Sequence, residues 1–288
     1  MWKPPRTILC ATDLTPNCDR AVDRAIELAR RWKASLLVVH VVDDTGLPAR
    51  DFTERVRKSE ALLEQQIKGH PEGVGLDIDT LVSLGSPAER ILGKCDRLFI
   101  DLLVMGPGER TSLGQRLLGS TVDHVLRHAL QPVLSVRNRA FAPYRNMAIA
   151  TDFSLPSKEA LDCALALFPD AKATVVHVYD DALHGLLASD KVTGPLAERH
   201  KREMRALAEK AIAEFVERPR TLRPDLTTAV EIGAPEAGLK HYIDQSNPDL
   251  VVLGTHGRTG LRRAVIGSVA ERLIGTLPCD VLAVRPTE

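Results

Sequence analysis

The chain has 288 residues, 44% of them hydrophobic, which is enough for one large domain or two of ordinary size with full cores. Its 38 basic and 38 acidic side chains cancel, which removes any whole-molecule attraction to nucleic acid or an anionic membrane, and no apolar run approaches a membrane span. Five cysteines, odd in number and without a spacing framework, favour a reducing compartment, so a cytoplasmic protein with neither nucleic-acid nor membrane partner is expected.

Met1–Arg6 runs directly into a strand and shows no signal-peptide apolar region. Thr7–Ala11 reads as the first strand, with Asp13 at its C-terminal end and Thr15 or Asn17 as a cap for the first helix. Val22, Ala25, Ile26 and Ala29 give that helix an apolar stripe. Leu36–Val42 lacks central polar alternation, as a strand covered on both faces should. A helix follows over Phe52–Ile67, a strand over Leu76–Val82 and a helix from Pro87 through Cys95. The half closes with a strand over Leu102–Met105, a helix from Gly119 to His128 and a strand over Val133–Val136.

The same plan then recurs. Arg6–Asp13 matches Arg145–Asp152 at an offset of 139, and Leu37–Asp44 matches Thr174–Asp181 at 137. Gly85-Ser-Pro87 matches Gly233-Ala-Pro235, Asp101–Gly106 matches Asp249–Gly254, and Gly119-Ser120 matches Gly267-Ser268, all at 148. Val133–Arg137 and Val281–Arg285 complete the series. An ordered set of four strand-like blocks with shared Asp, Gly-x-Pro and Gly-Ser landmarks is an internal repeat. The boundary falls near Phe141–Tyr144, which divides the chain into 1–141 and 142–288. In the second half a long helix is expected over Leu196–Val216, with Leu207, Ala211 and Phe215 on one face. Most of the second half's extra length is expected as a flap or short irregular helix over His184–Pro195. Cys10 and Cys163 read as core, and Cys279 as more exposed.

Alternating strands and helices of these lengths imply right-handed crossovers and parallel sheets, so each half is expected to be an open α/β domain that binds ligands beyond its C-terminal strand ends. Asp13, Asp152 and Gly254 fall at such ends. In the second half, Gly254-x2-Gly257-x9-Gly267-Ser268 follows the fourth strand and leads into a helix start, an order suited to a backbone cradle for an anion. Asp152 is an acceptor suited to a ribose hydroxyl or an adenine edge, Val178 offers an apolar wall, and Arg258 stands near the proposed phosphate position. The glycines do not spell a Walker A loop or a dinucleotide fingerprint. Each feature also has a structural reading: a turn, a helix cap or a satisfied strand-end residue. His40 and His177 share a strand-end position and read as structural, while Tyr179, Leu186 and Phe215 could line a different apolar pocket. No metal-ligand spacing and no nucleophile–base pair stand out.

At these residues the chain resembles the universal stress proteins in their tandem form. The resemblance spans almost the whole sequence, and the glycine run of the second half is its most specific element. It implies a five-stranded parallel sheet in each half, ordered 3-2-1-4-5, and an adenine nucleotide (ATP, ADP or AMP, with Mg2+ accompanying ATP) at the strand ends. It implies Asp152 and Val178 at the adenosine, Gly254 and Gly257 at ribose and phosphates, and Gly267 and Ser268 at phosphates. It further implies a stress-response role governed by nucleotide state, at most slow ATP turnover, and pairing of domains through the fifth strand, within the chain as a pseudo-dimer or in a homodimer. In the first half Asp13, Val41, Gly106, Gly108, Gly119 and Ser120 survive as a degenerate counterpart, but Glu109 stands on Gly257 and Pro107 on Thr255. A carboxylate would repel phosphate, and proline removes a backbone donor. The alternative is a non-enzymatic interaction scaffold whose second half keeps a vestigial loop.

Overall fold

The computed structural model describes residues 2–45, 48, 51–108, 119–179, 195–255 and 266–286. In the first half these form β1 (Thr7–Thr12), α1 (Pro16–Trp32), β2 (Ser35–Val42), α2 (Phe52–Lys68), β3 (Ile78–Leu84), α3 (Pro87–Leu98), β4 (Leu102–Met105), α4 (Ser120–His128) and β5 (Val133–Ser135). The second half runs β6 (Asn146–Thr151), α5 (Leu155–Leu167), β7 (Lys172–Tyr179), α6 (Pro195–Leu222), β8 (Thr227–Ile232), α7 (Pro235–Ser246), β9 (Leu250–Gly254), α8 (Ser268–Thr276) and β10 (Asp280–Val284). The expected flap, with His184 and Leu186, lies outside the described residues.

Within each half the strands keep the expected parallel order 3-2-1-4-5, but the two sets of five are not independent sheets. They make one ten-stranded sheet in the order β3-β2-β1-β4-β5-β10-β9-β6-β7-β8. Neighbours within each half are parallel, whereas β5 and β10 pair antiparallel, with Leu134 opposite Leu282. The sheet is therefore mixed, and the strands of the two halves point in opposite directions. The seam forms because both strands are buried runs that would otherwise leave an unpaired apolar edge.

Strand alternation sends side chains to two cores, each continuous across the seam. On one face Ile8, Cys10, Ile149 and Val252 meet α1, α2, α5 and α6. On the other Leu9, Leu103, Val251 and Val281 meet α3, α4, α7 and α8. Equivalent helices of the two halves thus share a face. The ring of Trp32 packs tilted at 47° against Phe168 of the other half, with centroids 5.8 Å apart, and Arg31 pairs with Asp170 at 2.6 Å.

The stripe on α1 is buried as expected. The long helix α6 is longer than expected and carries Pro219 in its last turn. Its apolar face is also shifted by one residue. Ala208, Ile212 and Val216 are buried, while Leu207 is 60% exposed. Every third or fourth residue of this charged helix offers an apolar choice, and packing on the sheet selected the row beside the expected one. Cys279, expected near the surface, is buried where it leads into β10.

The Gly-x-Pro landmark has a backbone cause. Gly85 and Gly233 sit at φ 131° and 124°, outside the range comfortable for residues with a Cβ, and the proline two residues later opens α3 and α7. Replacing Gly233 with alanine should cost about 1–3 kcal/mol. The shift in the urea midpoint at constant slope measures it. An unchanged midpoint would mean that the turn relaxes without strain.

Candidate functional site

The C-terminal ends of β6, β7 and β9 open into a cleft of about 330 Å3 against α7 and the first turn of α8. That is at the small end of ligand pockets. Asp152, Val178, Gly254, Gly267 and Ser268, five of the seven residues singled out from the sequence, line it together. Gly257 and Arg258 lie outside the described residues. The wall is mostly apolar, from Val176, Leu239, Leu253 and Leu273, with Asp152 and Ser268 supplying polar groups.

The turn from β6 into α5 places Asp152. Phe153 holds φ 65°, a strained conformation for a residue with a Cβ, and Thr151 Oγ1 accepts its N–H at 3.0 Å. Asp152 Oδ1 accepts the Ser154 N–H at 3.0 Å and also the Ser154 hydroxyl, and Ser154 in turn caps α5. One carboxylate oxygen is thus tied into the turn. The carboxylate still borders the cleft, so the structural and binding readings of this residue coexist. His177 Nδ1 donates to the Thr151 carbonyl at 2.8 Å, and its ring lies 4.1 Å from that of Phe153. The strand-end histidine braces the turn, in agreement with its structural reading.

The two glycine landmarks are brought together at the mouth. The Gly267 N–H donates to the Thr255 carbonyl at 2.8 Å, and the Thr255 N–H donates to Val284 at 2.9 Å. Gly254 must approach α5 closely, since a Cβ on it would stand 3.0 Å from both the carbonyl carbon and oxygen of Pro156. Gly267 itself is the helix cap and Ser268 the first helical residue, one position later than a capping serine. The first N–H groups of α8 lack helical acceptors, and this end faces the cleft. The sequence reading missed Ser157, which lines the cleft and pairs with Thr151 Oγ1 at 2.9 Å. Its signal was the offset of 139, which sets it against Cys18.

The first half repeats the frame with bulkier contents. Asp13 Oδ1 accepts the Thr15 N–H at 2.8 Å and hydroxyl at 2.6 Å, Leu14 holds φ 62°, and His40 Nδ1 donates to the Thr12 carbonyl at 2.9 Å. Thr15 is the cap residue of α1, although its hydroxyl goes to Asp13. Burial pushes the Asp13 carboxyl up, but hydrogen bonds from Thr15 and the Cys18 thiol outweigh it and hold the group below its usual range. Burial pushes Cys18 to about 12, so it remains a thiol. A Cβ on Gly106 would stand 2.8 Å from Cys18 Sγ. Gly108, at φ 83°, runs so close to Gly119 that a Cβ would be 2.7 Å from its backbone. Ser120 opens α4, and Val41 is half-buried on β2. Met105 and Val122 replace Leu253 and Ala270 of the second half, and Glu109 lies outside the described residues.

A second cavity of about 300 Å3 lies at the seam, where Arg24, Tyr144 and Asp280 meet the connecting segment. No group of three or more His, Cys, Asp or Glu with metal-site geometry occurs among the described residues, and none of their helices is long and apolar enough to cross a membrane.

The model of the universal stress protein family matches residues 5–137 and again 143–285. Proteins named as universal stress proteins from two Staphylococcus aureus strains are 30% identical over 149 residues, 50% of this chain and 86% of theirs. Among solved structures, a universal stress protein from Archaeoglobus fulgidus aligns over 97% of this chain and 98% of its own, at 18% identity and a TM-score of 0.68. A Pseudomonas aeruginosa protein of unknown function aligns over 98% and 93%, at 19% identity and a TM-score of 0.64. These two similarities speak for the shared fold.

Proposed function

The chain belongs to the universal stress protein family, with two family domains in tandem, and we propose that its second domain binds an adenine nucleotide whose presence regulates a stress response. ATP with Mg2+ is the leading ligand, with ADP and AMP as smaller members of the same class. The observation that carries this reading is the convergence of Asp152, Val178, Gly254, Gly267 and Ser268 on one cleft. Val178 and Leu239 would flank the base, Asp152 would accept from ribose or adenine, and the start of α8 would face the phosphates. Gly257 and Arg258, outside the described residues, are proposed for the phosphate side from the sequence alone. The residues present suit such a ligand, with an apolar slot, one carboxylate acceptor and a helix N-terminus. The protein's part in this is binding and orientation.

The first domain is proposed as the structural partner. Its counterpart cleft carries Met105, Val122 and Cys18 where the second has Leu253, Ala270 and Ser157, and it has Pro107 in place of Thr255.

Chromatography of nucleotide released from denatured, freshly purified protein, followed by equilibrium dialysis with labelled ATP, tests the reading. About one adenine nucleotide per chain is expected. Gly257→Glu should weaken ATP binding by roughly a hundredfold or more, because a like charge at phosphate costs several kcal/mol. Two nucleotides per chain would overturn the restriction to one domain. No nucleotide content and no binding at millimolar ATP would overturn the reading itself.

A further inference from the structure

Gly238 lies inside α7, where glycine costs helix stability relative to alanine. Neither a turn nor a positive φ calls for it. Its surroundings do. A Cβ on Gly238 would overlap Val178 Cγ1 and stand 3.2 Å from Cγ2. The missing side chain is therefore what lets α7 lie directly on Val178 at the end of β7, with Val178 still forming a wall of the cleft.

The repeat supplies a contrast. At the offset of 148 that joins Gly85 to Gly233, the first-half counterpart of Gly238 is Arg90. Its guanidine doubles back over the preceding turn, so that a Cβ on Gly85 would be 2.8 Å from Arg90 Nε. In the second half no atom of the described residues stands within 4 Å of such a Cβ on the corresponding Gly233. One turn is covered by an arginine, and the other has no such cover among the described residues.

We propose that Gly238 is the positioning residue of the second-domain cleft: by carrying no side chain it fixes Val178 as the apolar wall and leaves the Gly233 turn without the arginine cover seen in the first half. The inference rests on the adenine-nucleotide reading of that cleft. A side chain at 238 forces Val178 to turn or α7 to lift, and either change reshapes the slot for the base. An arginine there also reproduces the cover that Arg90 gives the first domain.

Equilibrium dialysis with labelled ATP on the full chain tests it, using wild type, G238A, G238R, V178A and the double variant G238A/V178A. Alanine favours a helix interior over glycine, so G238A should stay folded, which circular dichroism and the urea midpoint establish. Overpacking at this contact should weaken ATP binding by roughly tenfold in G238A and further in G238R. In the V178A background the same Gly238→Ala change should cost less than about twofold, because the clashing methyls are gone. That non-additivity separates positioning through Val178 from a general loss of helix packing. Wild-type affinity in G238A or G238R would overturn the inference and leave the nucleotide reading standing. Equal losses in both backgrounds would overturn the route through Val178. A wild-type chain that binds no ATP would remove both proposals.

Discussion

Replacing Asp280 with alanine will lower the unfolding free energy by about 3–5 kcal/mol. This carboxylate has no solvent exposure and lies at the start of β10 beside the seam. Oδ1 accepts the N–H groups of Arg137 and Asn138 at 2.7 and 3.0 Å, and Oδ2 accepts the Tyr144 hydroxyl at 2.6 Å. Arg24 places its Nε 3.8 Å from Oδ2 and its guanidinium carbon 4.0 Å from the Tyr144 ring centroid. The substitution removes the acceptor common to both ends of the connecting segment. It leaves buried donors unsatisfied, each costing about 1–3 kcal/mol, and it strips a largely buried cation of a carboxylate. Urea unfolding reads the loss, and a change under about 1 kcal/mol would show that water replaces the carboxylate.

The same residue gives a pH signature. Burial pushes the Asp280 carboxyl above its usual range, against the hydrogen bonds from Tyr144, Asn138 and Arg137 and the charge of Arg24. The native state therefore holds this proton more tightly than the unfolded chain. That contribution is fully present below about pH 4, the unfolded value, and is lost as pH rises through the raised native value. Asp280→Ala should lack this part of the slope.

The second large effect is expected at Gly254. Gly254→Val puts branched carbon against the Pro156 backbone, which cannot rotate away as a side chain could. Either the end of β9 moves into the cleft or the start of α5 tilts and carries the Asp152 turn with it. Stability should fall by about 1–3 kcal/mol, as for other overpacked sites. ATP affinity should fall roughly a hundredfold, because the floor of the cleft and Asp152 move together. Dialysis on protein shown folded by circular dichroism separates the two effects. Wild-type affinity in that variant would mean that the nucleotide does not rest on the end of β9.

The buried central strands are apolar without alternation, while the outer β3 and β8 mix polar and apolar residues, and all come in a repeated order, so β1 to β10 could be read from the residues. The stripe of α1 was legible because it recurs in α5 with the same phase. Helix α6 was not, because Leu207 and Ala208 are adjacent, the larger side chain marks the wrong row, and only packing on the sheet decides which one faces inward. The internal repeat alone fixes each half but not how the halves meet; the expected pairing through the fifth strand, over Val133–Val136 and Val281–Val284, came from the resemblance, and β5 and β10 do pair there. For the cleft, Asp152, Gly254 and Ser268 were marked by strand ends and glycine spacing. Gly238 was not, because a lone glycine in a helix has no distinctive pattern. Its mismatch with Arg90 carried the information, and the clash with Val178 gives it meaning.

The antiparallel meeting of β5 and β10 also bears on inheritance. In an assembly of two identical single-domain chains, any mutation strikes both copies of a site at once, and neither copy can change while the other is kept. Here the two halves share cores and a sheet but are encoded separately. Since their strands run in opposite directions, their clefts open on opposite sides, and a change at one leaves the walls of the other in place. Fusion thus lets matching positions differ, with Met105, Val122 and Arg90 in the first half where the second has Leu253, Ala270 and Gly238. The first half need hold no ligand to be required as the other half of the sheet.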